Sequence, residues 1–193
     1  MIQWNETIIG SNISEGLFSL GIDLIIFFRF GSIADMGALS LASPSAKYID
    51  IDTLQPILGV IVINRDVDYS KQNSFQFFEM IILHEFTHVL GPSSHFFVNF
   101  FHNIFTEVDD YGITRTYINS TKVVKVAKNY YYNFDLIKEI ELEEFGGEQT
   151  LRSNLEARIL LGEYMNGVAY NEEVVISEFT LALLEDSGYY KAN

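Results

Sequence analysis

"ILHEFTHVL", residues 82–90, decides how the chain is read. It places His84, Glu85 and His88 inside an apolar run. On a helix, residues four apart are offset by only about 40° around the axis. His84 and His88 therefore project from one face, a turn apart, and two imidazoles so placed can grip one Zn²⁺ at ~2.0–2.1 Å each. Glu85 falls on the flank of that face, suited to take a proton from a water that the metal acidifies rather than to bind the metal. Such a water attacks a peptide carbonyl, and Glu85 returns the proton to the leaving amine. Two imidazoles and a carboxylate buried in an apolar helix each need a partner, because uncompensated burial is costly. One metal ion partners both imidazoles.

The surroundings support a helix there. The pattern predicts one from about Ser74 to Leu90, with Asn73 and Gln76 spaced as a capping box and Gly91–Pro92 as its stop. Its surface is apolar nearly all round, which predicts a buried helix. Upstream, "IDLIIFFRF" (22–30) reads as a buried strand and "ILGVIVINRD" (57–66) as a second. Residues 32–47, small and polar, read as a loop with room for one short strand. Downstream, "TRTYINSTKVVKV" (114–126) reads as a hairpin or two short strands, and "QTLRSNLEARILLGEYM" (149–165) is helical in period. "MNG" (165–167) marks a turn. "SEFTLALLEDSG" reads as a helix with Ser177 as N-cap and Gly188 just past its end. The run "ELEE" (141–144) reads as solvated surface, and His102 as a structural or surface residue.

Composition narrows the partners. The chain has 193 residues, enough for one domain with a sizeable core, and 48% are hydrophobic. Its 26 acidic and 12 basic residues give a net charge of −14, which argues against a nucleic-acid surface. No cysteine is present, so any metal must be held by His, carboxylate or amide groups. No apolar run is long enough to span a bilayer, and the N-terminus lacks the basic and apolar regions of a signal peptide. Asn5, Asn12 and Asn119 open N-x-S/T sequons, which matter only on the secretory route.

A catalytic zinc takes three protein ligands and keeps one open position. The compact metzincin spacing H-E-x-x-H-x-x-G-x-x-H is met by His84, Glu85, His88 and Gly91, but Ser94 stands at its last position and His95 comes one residue late. A gluzincin-type arrangement would instead draw a carboxylate from Glu143, Glu144, Glu148 or Glu156, and spacing singles out none of them.

Three separated blocks carry a resemblance. "IILHEFTHVLG", then "SNLEARILLGEYMNG", then "ISEFTLALLEDSGYYK", preceded by "GVIVINRDVDYS", together resemble the leishmanolysin family of zinc metallopeptidases from roughly Asp23 to Lys191. In that family a long insertion separates the motif glycine from the third zinc-binding histidine, and a Met-turn and a final helix follow. The resemblance implies His84 and His88 as ligands, Glu85 as general base, one Zn²⁺ per chain, and Met165 in the Met-turn beneath the metal. It puts Asn154 at the position of the third histidine, with residues 92–153 as the insertion. Pro92 stands where the family usually has an aromatic residue. An amide oxygen is neutral and far less basic than imidazole, so Glu156 and His95 stand as substitutes for it.

The resemblance further implies a metzincin-like α+β domain over residues 1–193. An N-terminal lobe (1–91) would hold a twisted sheet packed on the zinc helix, and a C-terminal lobe (92–193) the Met-turn and last helix. The expected partner is a polypeptide substrate, and the family implies an extracellular or cell-surface setting. The alternative is an inactive relative that binds peptides or mediates cell adhesion.

Overall fold

The computed structural model describes residues 23–33, 40–44, 55–69, 75–93, 104–132, 136–145, 152–167 and 174–192, with the backbone alone for 40–44. The chain is α+β. Its first sheet has β1 (Ile25–Gly31), β2 (Ser40–Pro44) and β3 (Leu58–Asn64) in the order β1-β3-β2. β1 runs parallel to β3, pairing Ile25 with Leu58 through to Gly31 with Asn64, and β2 runs antiparallel to β3. The central strand is β3, buried along nearly its whole length, as its Val- and Ile-rich run demands. β1 was expected to be buried. At the edge of the sheet among the described residues, it instead leaves Phe28 and Phe30 exposed.

Helix α1 (Phe75–Leu90) packs across this sheet, with Val89 against Ile61 and Ile63. The approach is close because β3 carries Gly59. A Cβ there would stand 2.2 Å from Val89 Cγ1, so only glycine admits the helix at this depth. Gly91, at φ +142°, ends the helix in a conformation that other residues rarely adopt. The helix is not buried all round as its composition predicted. Phe77, Ile81, Glu85, Thr87, His88 and Val89 are buried, while Phe75, Leu83 and Phe86 are exposed. Asn73 of the predicted capping box lies outside the described residues.

The second sheet joins β4 (Ile104–Val108), β5 (Thr114–Ile118) and β6 (Ile140–Glu141), all antiparallel. Residues 114–126 are not two strands. β5 ends at Ile118, and α2 (Thr121–Tyr130) follows. Val123 and Ala127, four apart on one face, bury against α3 (Glu178–Asp186). Asp186 of α3 accepts the Lys122 and Val123 N–H groups at 2.9 and 3.0 Å, so one helix caps the other. α3 begins as predicted: the Ser177 hydroxyl accepts the Phe179 N–H at 3.1 Å.

Residues 152–167 are also not helical as their period predicted. They form turns joined by single bridges, Leu155 to Leu142 and to Asn166. Leu155 and Met165 are fully buried with Leu142, Leu183 and Phe179 in the larger core. Each such side chain contributes roughly 1.5–3 kcal/mol, which outweighs local helix propensity. The same packing overturns the reading of "ELEE" as surface. Glu141 and Glu143 are buried, each with partners. Glu141 accepts Arg115 and Arg158 at 2.6 Å each, and Glu143 accepts the Phe145 and Ala157 N–H groups at 3.0 and 3.3 Å.

Candidate metal centre

Helix α1 sets the His84 and His88 rings edge to face, with their Nε2 atoms 3.0 Å apart. The outer nitrogens are committed elsewhere. His84 Nδ1–H donates to the Tyr164 carbonyl at 2.9 Å, and His88 Nδ1–H donates to the Pro92 carbonyl. A carbonyl only accepts, so both protons sit on Nδ1 and both Nε2 atoms present lone pairs. Burial keeps the rings neutral: it lowers His84 and, helped by the neighbouring His84, takes His88 down to about 3. Two facing lone pairs repel unless a cation lies between them. Tetrahedral zinc at ~2.0–2.1 Å from each nitrogen sets the nitrogens about 3.3 Å apart, a few tenths of an ångström from the observed separation.

Asn154 completes the group. It is buried at 4% exposure, and its carboxamide contacts both imidazoles. The contact is a side-chain hydrogen bond to each ring. Two imidazole nitrogens and a carboxamide thus come together, and with the amide oxygen turned toward them they make a neutral donor set suited to a divalent cation. Among the described residues no cluster of three His, Asp or Glu side chains could hold a metal. Glu143, Glu144 and Glu156 therefore do not join the two histidines. Glu156 is held nearby by the Arg158 N–H at 3.1 Å, its carboxyl raised chiefly by burial. His95, His102 and Glu148 lie outside the described residues.

Asn154 reaches this point through non-local bonds. Its carbonyl accepts Glu143 N–H at 2.9 Å, Arg152 N–H donates to the Glu143 carbonyl at 2.7 Å, and Leu155 N–H donates to the Met165 carbonyl at 2.9 Å. Arg152 adopts φ +61°, turning the chain ahead of Asn154. Glu85 is buried on the same helix, close enough to Tyr69 and Tyr164 to act on the charge of both.

Several residues that shape the site were not singled out in the sequence. Tyr164 offers its carbonyl to His84, and its hydroxyl lies 2.9 Å from Thr87 Oγ1. The Thr87 hydroxyl proton already goes to the Leu83 carbonyl at 3.0 Å, so Tyr164 is the donor to Thr87. Burial pushes the Tyr164 phenol up to about 12. Glu163 accepts Ser177 Oγ at 2.9 Å, Thr180 Oγ1 at 2.5 Å and the Met165 N–H. Its carboxyl, raised by burial, ties the turn at Met165 to the start of α3. One signal was available for Glu163: a lone carboxylate between "ILLG" and "YM" needs a buried partner.

A sequence profile of the leishmanolysin peptidase family, M8, matches residues 7–193. A leishmanolysin homolog of Crithidia fasciculata is 36% identical over 143 residues, covering 72% of this chain and 21% of its own length. The ciliated left-right organizer metallopeptidase of Danio rerio is 29% identical over 152 residues, covering 72% of this chain and 24% of its own. A leishmanolysin-like peptidase of Drosophila melanogaster is 44% identical over 63 residues, covering 33% of this chain and 9% of its own. The chain spans a quarter or less of the length of these relatives. Among the described residues, no helix is long and apolar enough to cross a membrane.

Proposed function

Because this chain belongs to the leishmanolysin family of metallopeptidases, we propose that it is a zinc-dependent endopeptidase with a metzincin-like arrangement of two lobes. The observation that carries the reading is the pair of His84 and His88 lone pairs 3.0 Å apart, with Asn154 in contact with both rings and Glu85 beside them. His84 Nε2, His88 Nε2 and the Asn154 amide oxygen would hold one zinc per chain. When bound, zinc supplies Lewis acidity that polarises the scissile carbonyl and acidifies a water.

The chain's own residues do the rest. Glu85 takes a proton from the attacking water and delivers it to the leaving nitrogen, so one carboxylate serves as base and then acid. The Tyr164 and Pro92 carbonyls hold the imidazoles in the tautomer that exposes Nε2 and raise their basicity. Tyr69 and Tyr164 flank Glu85 and restrict its surroundings. Met165, fully buried, forms the floor of the site. The substrate is a polypeptide bound extended, pairing with the edge of β2, the strand that packs against α1.

Glu85→Ala tests this directly. Cleavage of an unfolded protein or a fluorogenic peptide at saturating zinc should fall by about 10²–10⁴-fold, while zinc content is kept. Cleavage at the original rate would remove Glu85 from the mechanism.

A further inference from the structure

The third position of the site is held by a side chain that has two chemically opposite ends. Asn154 is 4% exposed and in contact with both imidazoles. Its carboxamide carries one oxygen, which accepts, and one NH₂ group, which donates twice. Opposite it stand two Nε2 lone pairs 3.0 Å apart, each fixed as an acceptor by the carbonyl behind its ring. With a cation present, the oxygen is the end that serves. Without one, three acceptors would face each other in a buried space, and half a turn about the last side-chain bond brings two N–H donors onto two acceptors. A neutral imidazole at this position has a single N–H to offer and could satisfy only one of them.

We infer that Asn154 makes this a reversible divalent-metal site, which its oxygen helps to hold when the metal is bound and its amino group closes when the metal leaves. The inference rests on the zinc reading above and adds how that site is regulated. Two consequences follow from the donor chemistry. An amide oxygen holds zinc more weakly than imidazole, so the metal exchanges with its surroundings. The metal-free site is hydrogen-bonded rather than open, so the protein without metal stays folded and ready to reload. Activity would then follow the ambient concentration of free zinc.

The test uses zinc alone as the probe, on the full chain and on Asn154→His. Competition against a chelator series should show the unaltered protein binding zinc reversibly, and Asn154→His binding at least about a hundredfold more tightly, the upper end of what a lost supporting partner costs. Side-chain ¹⁵N–H₂ signals report the other half. The pair missing from Asn154→His, or from Asn154→Asp if the first variant does not fold, belongs to Asn154. In metal-free protein that pair should exchange slowly with water, and it should shift on adding zinc.

Equal affinity in the two proteins would overturn the inference, as would exchange of the Asn154 amide as fast as an exposed asparagine. So would no binding by the unaltered protein at millimolar zinc while Asn154→His binds. If neither protein binds zinc, the failure lies instead with the zinc reading itself.

Discussion

Helix α1 sets His84 and His88 side by side through backbone bonds that stay within residues 75–90, whereas Asn154 is delivered by a segment, 152–167, with no regular helix or strand of its own. That segment is held by Glu141 and Glu143 on one side and by Ser177 and Thr180, through Glu163, on the other. The helix is placed as a unit, with its tightest approach to the sheet at Gly59. The segment needs every anchor at once. Local order brings the two imidazoles together cheaply, and the arrival of Asn154 beside them depends on packing across the whole second half of the chain.

The largest effect should come from breaking the helix's tightest approach to the sheet. Gly59→Ala puts a Cβ 2.2 Å from Val89 Cγ1, so helix and sheet must separate. We expect a loss of about 3 kcal/mol, or a Tm lower by roughly 6–12 °C. Adding Val89→Ala should recover part of it. An unchanged Tm would mean that the helix is not seated by this contact.

On the other side of the comparison, Glu163→Gln turns one of two acceptor oxygens into a donor, where Oε1 serves the Ser177 and Thr180 hydroxyls and Oε2 the Met165 N–H. About 2–3 kcal/mol should be lost, since buried donors are left poorly paired. Zinc should also be held about 10–100-fold more weakly, because the turn that carries the Tyr164 carbonyl loosens. Loss of stability with unchanged zinc affinity would sever the link drawn between this anchor and the site.

The pH response sharpens the same contrast. His84 and His88 have lower pKa values folded than the ordinary 6.5. The unfolded chain therefore takes up the protons first, and the metal-free protein should be most stable above about pH 6.5. Stability should fall as pH drops below it, at up to about 1.4 kcal/mol per pH unit for each proton. Glu156 and Glu163, both raised by burial, act with the opposite sign, gaining stability as pH falls toward 4.5. Melting of metal-free protein between pH 8 and 5 checks this; a flat profile would mean that the imidazoles are not buried as neutral rings. The smallest effect belongs to Tyr164→Phe. It removes the bond to Thr87 but leaves Thr87 its Leu83 partner, so about 1 kcal/mol is expected from a melting curve.

The same division governs what could be read from the residues. His84, Glu85 and His88 were legible because helical period is a local property, and so were β3 and the start of α3, with Ser177 as its cap. Residues 149–165 misled because their apolar spacing suits a helix, while Leu155 and Met165 are claimed by a core that the segment itself does not contain. β5 and α2 were misread for a similar reason: β-branched residues in "TKVVKV" suggest strand, but burial of Val123 and Ala127 against α3 selects the helix. Glu141 and Glu143 looked like surface because their partners, Arg115, Arg158 and the Ala157 N–H, are distant in sequence. Asn154 was located only through a resemblance between blocks, since no spacing within the chain ties it to residues 84–88.

The place of Glu163 in the chain has a consequence for biosynthesis. A ribosome releases residues 75–90 before residues 152–180, and the two imidazoles with Glu85 can take their helical places while those later residues are still unmade. The Asn154 segment cannot settle then, because Glu163 draws its donors from Ser177 and Thr180, which emerge after it. Asn154 therefore joins the two imidazoles only after Thr180 has emerged, and a nascent chain shorter than that carries His84, Glu85 and His88 without their third neighbour.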